Sequence, residues 1–244
     1  FHRRAVMAGT SMATPQAAGA HDLLISAAKA NAVPWNSGLL KRAFKATATP
    51  VKGYNRLDQG AGLINVPAAF KALKGFGAGA RADVLLGWRV KTDVPHRPGT
   101  EGSGSFWRTG MYVPTPSHRI SFTLEPIFFK GVSDSVKSTF FESFNLKTSQ
   151  RWLDLDRDKL AIRQDGSAAW TATIESSKVG THGVHVGLIQ GYAKGQRLAS
   201  FEVPVSIVRP HATDGLLQGD AAWTSTLKPG QIERHFFAIP AGAE

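Results

Sequence analysis

In the first 75 residues the apolar positions recur with helical spacing. Residues 11–30 are rich in alanine and would place apolar side chains almost all round a helix, a pattern typical of a buried helix. Residues 37–46 have apolar side chains three and four positions apart, which predicts an amphipathic helix. A third helix is predicted over 67–73, because Pro67 suits a first helical position.

Beyond residue 79 the apolar residues recur at every second position instead. Residues 120–125, 170–175 and 201–207 alternate apolar and polar side chains, as half-buried strands do. Turn-forming residues separate these runs at spacings that suit an antiparallel sandwich. Pro204 within such a run predicts an edge strand, because proline has no N–H to donate. The pattern therefore predicts an α/β part followed by an all-β, antiparallel, sandwich-like domain.

The composition excludes several classes of function. The 244 residues include no cysteine, so disulfides, thiolate metal sites and cysteine nucleophiles are excluded. No apolar run approaches the roughly 18 residues of a membrane-spanning helix, and we expect no membrane partner. The first residue is Phe1 rather than methionine, and we expect the sequence to be a segment of a longer chain.

Basic residues are concentrated in the first 75 positions, which hold ten basic and two acidic residues. Such an excess can indicate nucleic-acid binding. The sequence contains no helix-turn-helix signature, no RNP-like aromatic motif and no zinc finger. We therefore predict no nucleic-acid partner.

Residues 8–15, Ala-Gly-Thr-Ser-Met-Ala-Thr-Pro, place hydroxyl groups at the start of the first predicted helix. Thr10 or Ser11 could cap the helix by accepting a first-turn N–H. Alternatively, Ser11 could serve as a nucleophile at the positive end of the helix dipole. Gly9 would let a substrate backbone approach closely, and Pro15 lacks an N–H in the opening turn.

This stretch resembles the serine motif of the subtilisin-like proteases. Residues 60–66, Gly-Ala-Gly-Leu-Ile-Asn-Val, resemble the segment that closes the catalytic domain of that family. The resemblance implies that Ser11 is the nucleophile and that its backbone N–H is one donor to the oxyanion. The residues that would support the motif are Gly9, Thr10, Met12, Ala13 and Pro15.

The histidine and carboxylate that Ser11 would need are expected elsewhere. His21 and Asp22 lie ten and eleven residues further along the same helix, about 15 Å away at 1.5 Å per residue. We therefore expect His21 to make a polar contact on the helix face. The family order of aspartate, histidine, serine implies that both partners and the oxyanion asparagine precede Phe1 and that the segment alone is inactive. The resemblance implies neither a metal nor another cofactor.

Residues 182–192, 201–205 and 227–242 are similar to the tripeptidyl-peptidase II family of subtilisin-like enzymes. That resemblance implies an exopeptidase that releases tripeptides from the free N-termini of peptides or proteins, and homo-oligomers of the full-length protein. Two alternatives stay open: a subtilisin-like endopeptidase, and a non-catalytic β-sandwich module for binding or scaffolding. Cytoplasmic and secreted locations are both open.

Four regions are predicted along the chain. Residues 1–75 would be the C-terminal part of a subtilisin-like peptidase domain, 76–115 an irregular linker, 116–210 an antiparallel β domain, and 211–244 the start of a further β-rich segment.

The tryptophans of the β region predict a sandwich core rather than a carbohydrate-binding face. His182 and His185 are three residues apart, so strand alternation would separate their side chains and argues against a shared metal. Residues 154–158 form an acidic run without the glycine and terminal glutamate of an EF-hand loop, which predicts a solvated turn.

Overall fold

The computed structural model describes residues 8–76, 81–94, 99–107, 117–211, 224–229 and 231–237. The chain forms two compact units. The helical unit comprises residues 1–87, 127–133 and 196–199, and the strand unit comprises the remainder. None of the helices in the described part of the chain has the length and apolar character needed to cross a membrane.

Four helices form the helical unit. They are α1 (Thr10–Ala30), α2 (Ser37–Thr47), α3 (Arg56–Gln59) and α4 (Val66–Phe76). The three predicted helices are confirmed, with ends that differ by at most three residues from the prediction, and the single turn α3 was not predicted. Each of α1, α2 and α4 contributes small and large apolar side chains to one shared core.

Helix α1 is far less buried than its composition predicts. Ala20, Leu24 and Ala28 are its buried residues, and they lie four residues apart on one face. Leu23, the neighbour of a fully buried leucine, is 63% exposed. The prediction of a helix buried all round is therefore wrong for this structure, because α2 and α4 cover one face of α1 only.

Two five-stranded sheets are formed within the described residues. The first sheet has the order β2-β1-β4-β8-β6. Its strands are β1 (Leu85–Asp93), β2 (Glu101–Gly102), β4 (Ser117–Phe128), β6 (Leu153–Leu155) and β8 (Ala168–Glu175). A short helix, α5 (Asp134–Ser138), follows β4.

The second sheet has the order β3-β10-β9-β5-β7. Its strands are β3 (Ser105–Trp107), β5 (Phe141–Thr148), β7 (Lys159–Arg163), β9 (Gly183–Ala193) and β10 (Phe201–Arg209). Most pairs in both sheets are antiparallel, as predicted, but β3 pairs with β10 in parallel.

Strand β10 lies between β3 and β9, so the edge position predicted from Pro204 is wrong. Pro204 pairs with Leu188, whose backbone N–H and C=O are both bonded to Ser149 on the far side. Proline therefore removes no bond to Leu188. The ladder with β3 begins one residue later, at Val205, so the missing N–H lies at the end of that ladder.

Aromatic side chains from both sheets meet inside the strand unit. Trp170 stacks on Phe122 with 5.3 Å between ring centroids and lies 6.1 Å from Phe201 of the other sheet. The Trp88 ring meets the edge of Phe144 at 4.9 Å. Trp152 and Trp170 are buried, which confirms their predicted role in the core, whereas the Trp107 side chain and Trp223 lie outside the described residues.

The predicted solvated turn at 154–158 is partly wrong. Asp154 lies in β6, and an Asp156 carboxylate oxygen accepts the Thr171 backbone N–H at 2.9 Å. The Asp156 N–H donates in turn to the Thr171 carbonyl at 3.0 Å. This pair of bonds extends the contact between β6 and β8 by one residue.

Candidate active site

Helix α1 begins directly after a glycine. The N-terminal cap is Gly9, with φ of 151°, and its carbonyl accepts the N–H groups of Met12 and Ala13 at 3.1 and 3.2 Å. A residue with a Cβ would be strained at this φ. Gly9 is therefore required here by backbone conformation, independently of any approach by a substrate.

The Ser11 side chain is exposed in the first turn of α1. In the described residues no side chain caps this helix, so the capping role considered for Thr10 and Ser11 is not seen. The Thr14 hydroxyl, by contrast, donates to the Thr10 carbonyl at 2.8 Å. The Ser11 side chain is therefore exposed and takes no part in capping the helix.

Backbone donors and acceptors are also available around Ser11. The N–H groups of the first helical turn have no acceptor within the helix, and Ser11 is the second residue of α1. Pro15 lies inside the helix, and it has no N–H to donate to the Ser11 carbonyl four residues before it. The N–H of Ser11 is therefore one of the first-turn donors that have no acceptor within the helix.

The other motif residues follow the same turn. Thr10, Ala13 and Pro15 are exposed, and Met12 is half-buried. A Cβ placed on Gly9 would lie 3.8 Å from the Met12 sulfur, so Met12 covers the residue that begins the helix. The five supporting residues therefore surround Ser11 on one short stretch of backbone.

His21 does not approach Ser11. Its Nδ1 donates to the Ala17 carbonyl at 2.8 Å, and its ring lies 4.5 Å from the ring of Phe44. These contacts confirm the polar helix-face contact expected for His21. Asp22 is exposed on the neighbouring position of the helix, and His96 lies outside the described residues.

The second motif is an ordered turn that leads into α4. Gly60 and Gly62 have φ of 60° and 116°. Leu63 and Thr49 exchange two backbone hydrogen bonds of 2.9 and 2.8 Å, and a Cβ on Gly62 would overlap the Thr49 carbonyl. The Asn65 side chain accepts the Ala68 N–H at 3.0 Å. The conformations of the two glycines and the side-chain bond of Asn65 need the residue types that the motif supplies.

The two motifs are connected through the core of the helical unit. Leu24 and Ala28 of α1 share that core with Ala69, Ala72 and Leu73 of α4. The segment 60–66 therefore sets where α4 begins, and α4 supports the second half of the helix that carries Ser11. The sequence predicts the two motifs separately, and their connection through this core is visible in the structure.

Three positioning residues were missed by the sequence analysis. Asn36 is 6% exposed; it caps α2 by accepting the Leu39 N–H and donates to two carbonyls of residues 82 and 85. Gly38 lies so close to the Leu86 carbonyl that a Cβ would overlap it. An asparagine before a predicted helix is a signal for a cap, but the carbonyls that Asn36 reaches are distant in sequence.

Arg42 is the third. Its guanidinium donates to the carbonyls of Leu198 and Ala199 at 3.0 and 2.9 Å and lies 4.0 Å above the Phe76 ring centre. The sequence pattern shows Arg42 only as a polar position on α2. The segment that it holds is about 156 residues away in the sequence.

Relatives of known name match almost the whole chain. Tripeptidyl-peptidase 2 of Arabidopsis thaliana is 27% identical over 248 residues, and that of Drosophila melanogaster is 29% identical over 260 residues; these alignments cover 100% and 98% of the chain. The crystal structure of tripeptidyl peptidase 2 superposes with a TM-score of 0.68 at 27% identity over 83% of the chain. The chain is homologous to tripeptidyl-peptidase II.

The homology extends to a second named peptidase and covers a small part of each relative. Pyrolysin of Pyrococcus furiosus is 26% identical over 249 residues. The chain spans 18% of the Arabidopsis tripeptidyl-peptidase 2, 16% of the Drosophila protein and 16% of the superposed crystal chain. No family model matches the chain. Because the alignments with tripeptidyl-peptidase 2 cover almost the whole chain, the similarity includes both the serine motif and the strand unit.

Proposed function

We propose that this chain is the serine-bearing part of a subtilisin-like peptidase, with Ser11 as the nucleophile. The observation that carries the proposal is the exposed Ser11 hydroxyl in the first turn of α1, preceded by Gly9 as the cap. The homology to tripeptidyl-peptidase 2 and pyrolysin supports peptidase chemistry at this serine.

The chemistry is acyl transfer. The Ser11 Oγ attacks the scissile carbonyl of a peptide or protein and gives its proton to a histidine base, and the tetrahedral oxyanion accepts the Ser11 backbone N–H. The base returns the proton to the leaving amine, and water then releases the product from the acyl-enzyme. A serine hydroxyl is a weak nucleophile at neutral pH, so the base is essential.

The histidine base and its carboxylate are proposed to come from residues outside these 244. His21 and Asp22 are about 15 Å along α1 from Ser11, and the His21 imidazole is bonded to its own helix and packed on Phe44. Relatives that are several times longer have room for both partners. The 244-residue chain alone is then inactive.

The finer proposal is an exopeptidase that releases tripeptides from free N-termini and works as a homo-oligomer. The names of the relatives in plants and insects support the release of tripeptides, and the homo-oligomer is carried over from the resemblance to that family. Residues 1–75 would be the end of the peptidase domain, and 211–244 the start of a further β-rich segment. Strands β1, β2 and β3 lie within 76–115 and pair with strands of 116–210, so the proposed sandwich takes strands from both ranges and does not follow an irregular linker. The ring contacts between Trp170 and Phe201 support the sandwich.

A fluorophosphonate probe tests the nucleophile in a longer protein that contains this chain. We expect labelling of the parent, loss of labelling in Ser11→Ala, and unchanged labelling in Ser26→Ala, which alters an exposed serine on the same helix. Labelling that persists in Ser11→Ala would overturn the assignment. The 244-residue chain by itself is expected to remain unlabelled.

Free and N-acetylated peptides test the exopeptidase mode. We expect the longer protein to release tripeptides from free peptides and to lose this activity when the amino group is acetylated. Equal rates on both peptides would show an endopeptidase and would leave Ser11 as its nucleophile.

A further inference from the structure

Four aromatic rings form a cluster at the end of β10. His211 follows that strand, and His182 precedes β9; their rings are nearly parallel, with 4.3 Å between centroids. On residues 231–237, the rings of His235 and Phe237 lie 5.6 and 5.4 Å from the His211 ring. We call these four residues the ring cluster.

The same residues attach the segment 231–237 to the sheet through the backbone. The His211 N–H donates to the Phe236 carbonyl at 2.8 Å, and His211 and Phe237 form a parallel bridge. A single bridge is a weak attachment compared with a full strand ladder, because each backbone hydrogen bond contributes only about 0.5–1.5 kcal/mol. The contacts between the rings therefore contribute much of the free energy that attaches residues 231–237 to the sheet.

The contact between two of the imidazoles depends on their protonation. His211 Nε2 and His235 Nδ1 are 3.4 Å apart, so one must carry the hydrogen and the other must accept it. Two protonated imidazoles would present N–H to N–H and repel each other. The His182 ring stacks on the His211 ring at 4.3 Å. If all three imidazoles were protonated, three positive charges would repel one another.

Three elements carry charged or titratable groups close in sequence to the residues of the ring cluster. On the segment, the Glu233 carboxylate lies 3.4 Å from His235 Nε2 and can balance one positive charge, and Arg234 is the residue before His235 in the sequence. Arg209, two residues before His211, donates to the carbonyls of Val179 and Gly180. His185 of β9 contacts the Thr181 carbonyl at 2.7 Å. Among these described groups, one is acidic and the others are, or can become, positive.

We propose that the ring cluster makes attachment of residues 231–237 to the end of β10 dependent on pH. The segment is attached while His211 and His235 share one hydrogen and is released when both imidazoles are protonated. Mildly acidic solution would therefore detach residues 231–237 from the end of β10.

The expected pH range follows from His211. Partial desolvation, followed by the charges of His182 and His235, lowers the pKa of His211 from its ordinary 6.5. The released state therefore takes up the proton more readily than the attached state. Attachment is strongest above about pH 6.5 and weakens as the pH falls below that value.

Hydrogen exchange of the residue-211 backbone amide in the 244-residue chain tests the proposal. We expect its protection factor, which corrects for the intrinsic effect of pH on exchange, to fall at least about fivefold between about pH 7.5 and pH 5.5. His211→Phe keeps the backbone N–H and a ring but does not titrate, and its protection is expected to change less than about twofold. His21→Gln, in the helical unit, is expected to keep the full decrease.

Two results would overturn the proposal: wild-type protection that is constant over this range, and an equal decrease in His211→Phe. If His211→Phe does not fold, NMR titration of the wild-type imidazole protons decides instead. We expect His211 to titrate below its ordinary value and its curve to change when His235 is replaced in His235→Phe. A His211 curve that matches an isolated histidine in both proteins would also overturn the proposal.

Discussion

The helical unit and the strand unit hold their residues in place in different ways. In the strand unit, apolar side chains of both sheets are buried along most of their length, as in β8 and β10. Helix α1, in contrast, buries three of its 21 residues, all of them after residue 19. The half of α1 that carries Ser11 is therefore positioned by the continuity of the helix and by contacts further along it.

The difference shows that the proposed nucleophile, Ser11, lies outside the best-packed part of these 244 residues. Local openings have low free energy where few apolar contacts are buried, and α1 from Thr10 to Gly19 fits that description. The helix dipole and the free N–H groups at its start depend only on the helix being formed. The contacts of Leu24 and Ala28 thus support the geometry around Ser11 from a distance.

The largest loss of stability is expected from a substitution in the core of the strand unit. Phe122 is fully buried and stacked on Trp170, and Phe122→Ala should reduce the free energy of unfolding by about 3–5 kcal/mol. Phe141→Ala, at a phenylalanine that is 49% exposed, should have a much smaller effect. Urea denaturation followed by tryptophan fluorescence measures both. Equal losses would show that burial does not distinguish these positions.

In α1, two adjacent leucines allow a direct comparison. Leu24 is fully buried and Leu23 is 63% exposed, so Leu24→Ala should reduce stability by about 3 kcal/mol and Leu23→Ala by less than about 0.5 kcal/mol. Circular dichroism during denaturation gives both values. If both substitutions had the large effect, the exposed face of α1 would be packed in solution and the contrast between the units would fail.

Replacing either of two glycines of the helical unit by alanine is expected to change the stability of the chain, in opposite directions. A Cβ on Gly38 would overlap the Leu86 carbonyl, so Gly38→Ala should destabilise the chain by about 2 kcal/mol. A Cβ on Gly19 would meet nothing within 4 Å, and Gly19→Ala should stabilise α1 by about 0.5–1 kcal/mol. Thermal denaturation of both variants checks the signs. A stable Gly38→Ala protein would mean that α2 can move away from residue 86.

The smallest effect is expected at Asp156 in the strand unit. Burial alone would raise the pKa of Asp156, but the Thr171 N–H and Arg157 outweigh it and lower the pKa below 3.8. The carboxylate therefore stabilises the fold above about pH 4, and this contribution is lost as the pH falls through the lowered pKa.

Asp156→Asn should reduce stability at neutral pH by less than about 1 kcal/mol, because the group is partly exposed. Wild type and variant should converge in acid, at a pH below the lowered pKa, where the wild-type carboxyl is protonated. Denaturation at both pH values measures the difference. A difference that grew in acid would contradict the assigned direction of the pKa shift.

Much of the fold could be predicted from the sequence because its signals are local. The alanine-rich run located α1, three-and-four spacing located α2, and Pro67 located the start of α4. Period-two alternation located the central strands. Ser11 could be placed at the start of a helix for the same reason, and the about 15 Å between Ser11 and His21 follows from helix geometry alone. The glycines of residues 60–66 could be recognised as part of a motif. Their φ angles and the close approach of Gly62 to Thr49 are seen only in the structure.

The tertiary structure decided which apolar and polar groups find partners. Composition does not distinguish Leu23 from Leu24, because burial depends on which face of α1 meets α4. Pro204 lies in an inner strand because Leu188 is bonded on its other side. Arg42 and the ring cluster bring together groups separated by long stretches of chain. Local spacing determines which backbone shape each segment adopts, whereas partners distant in sequence are set only when the segments pack.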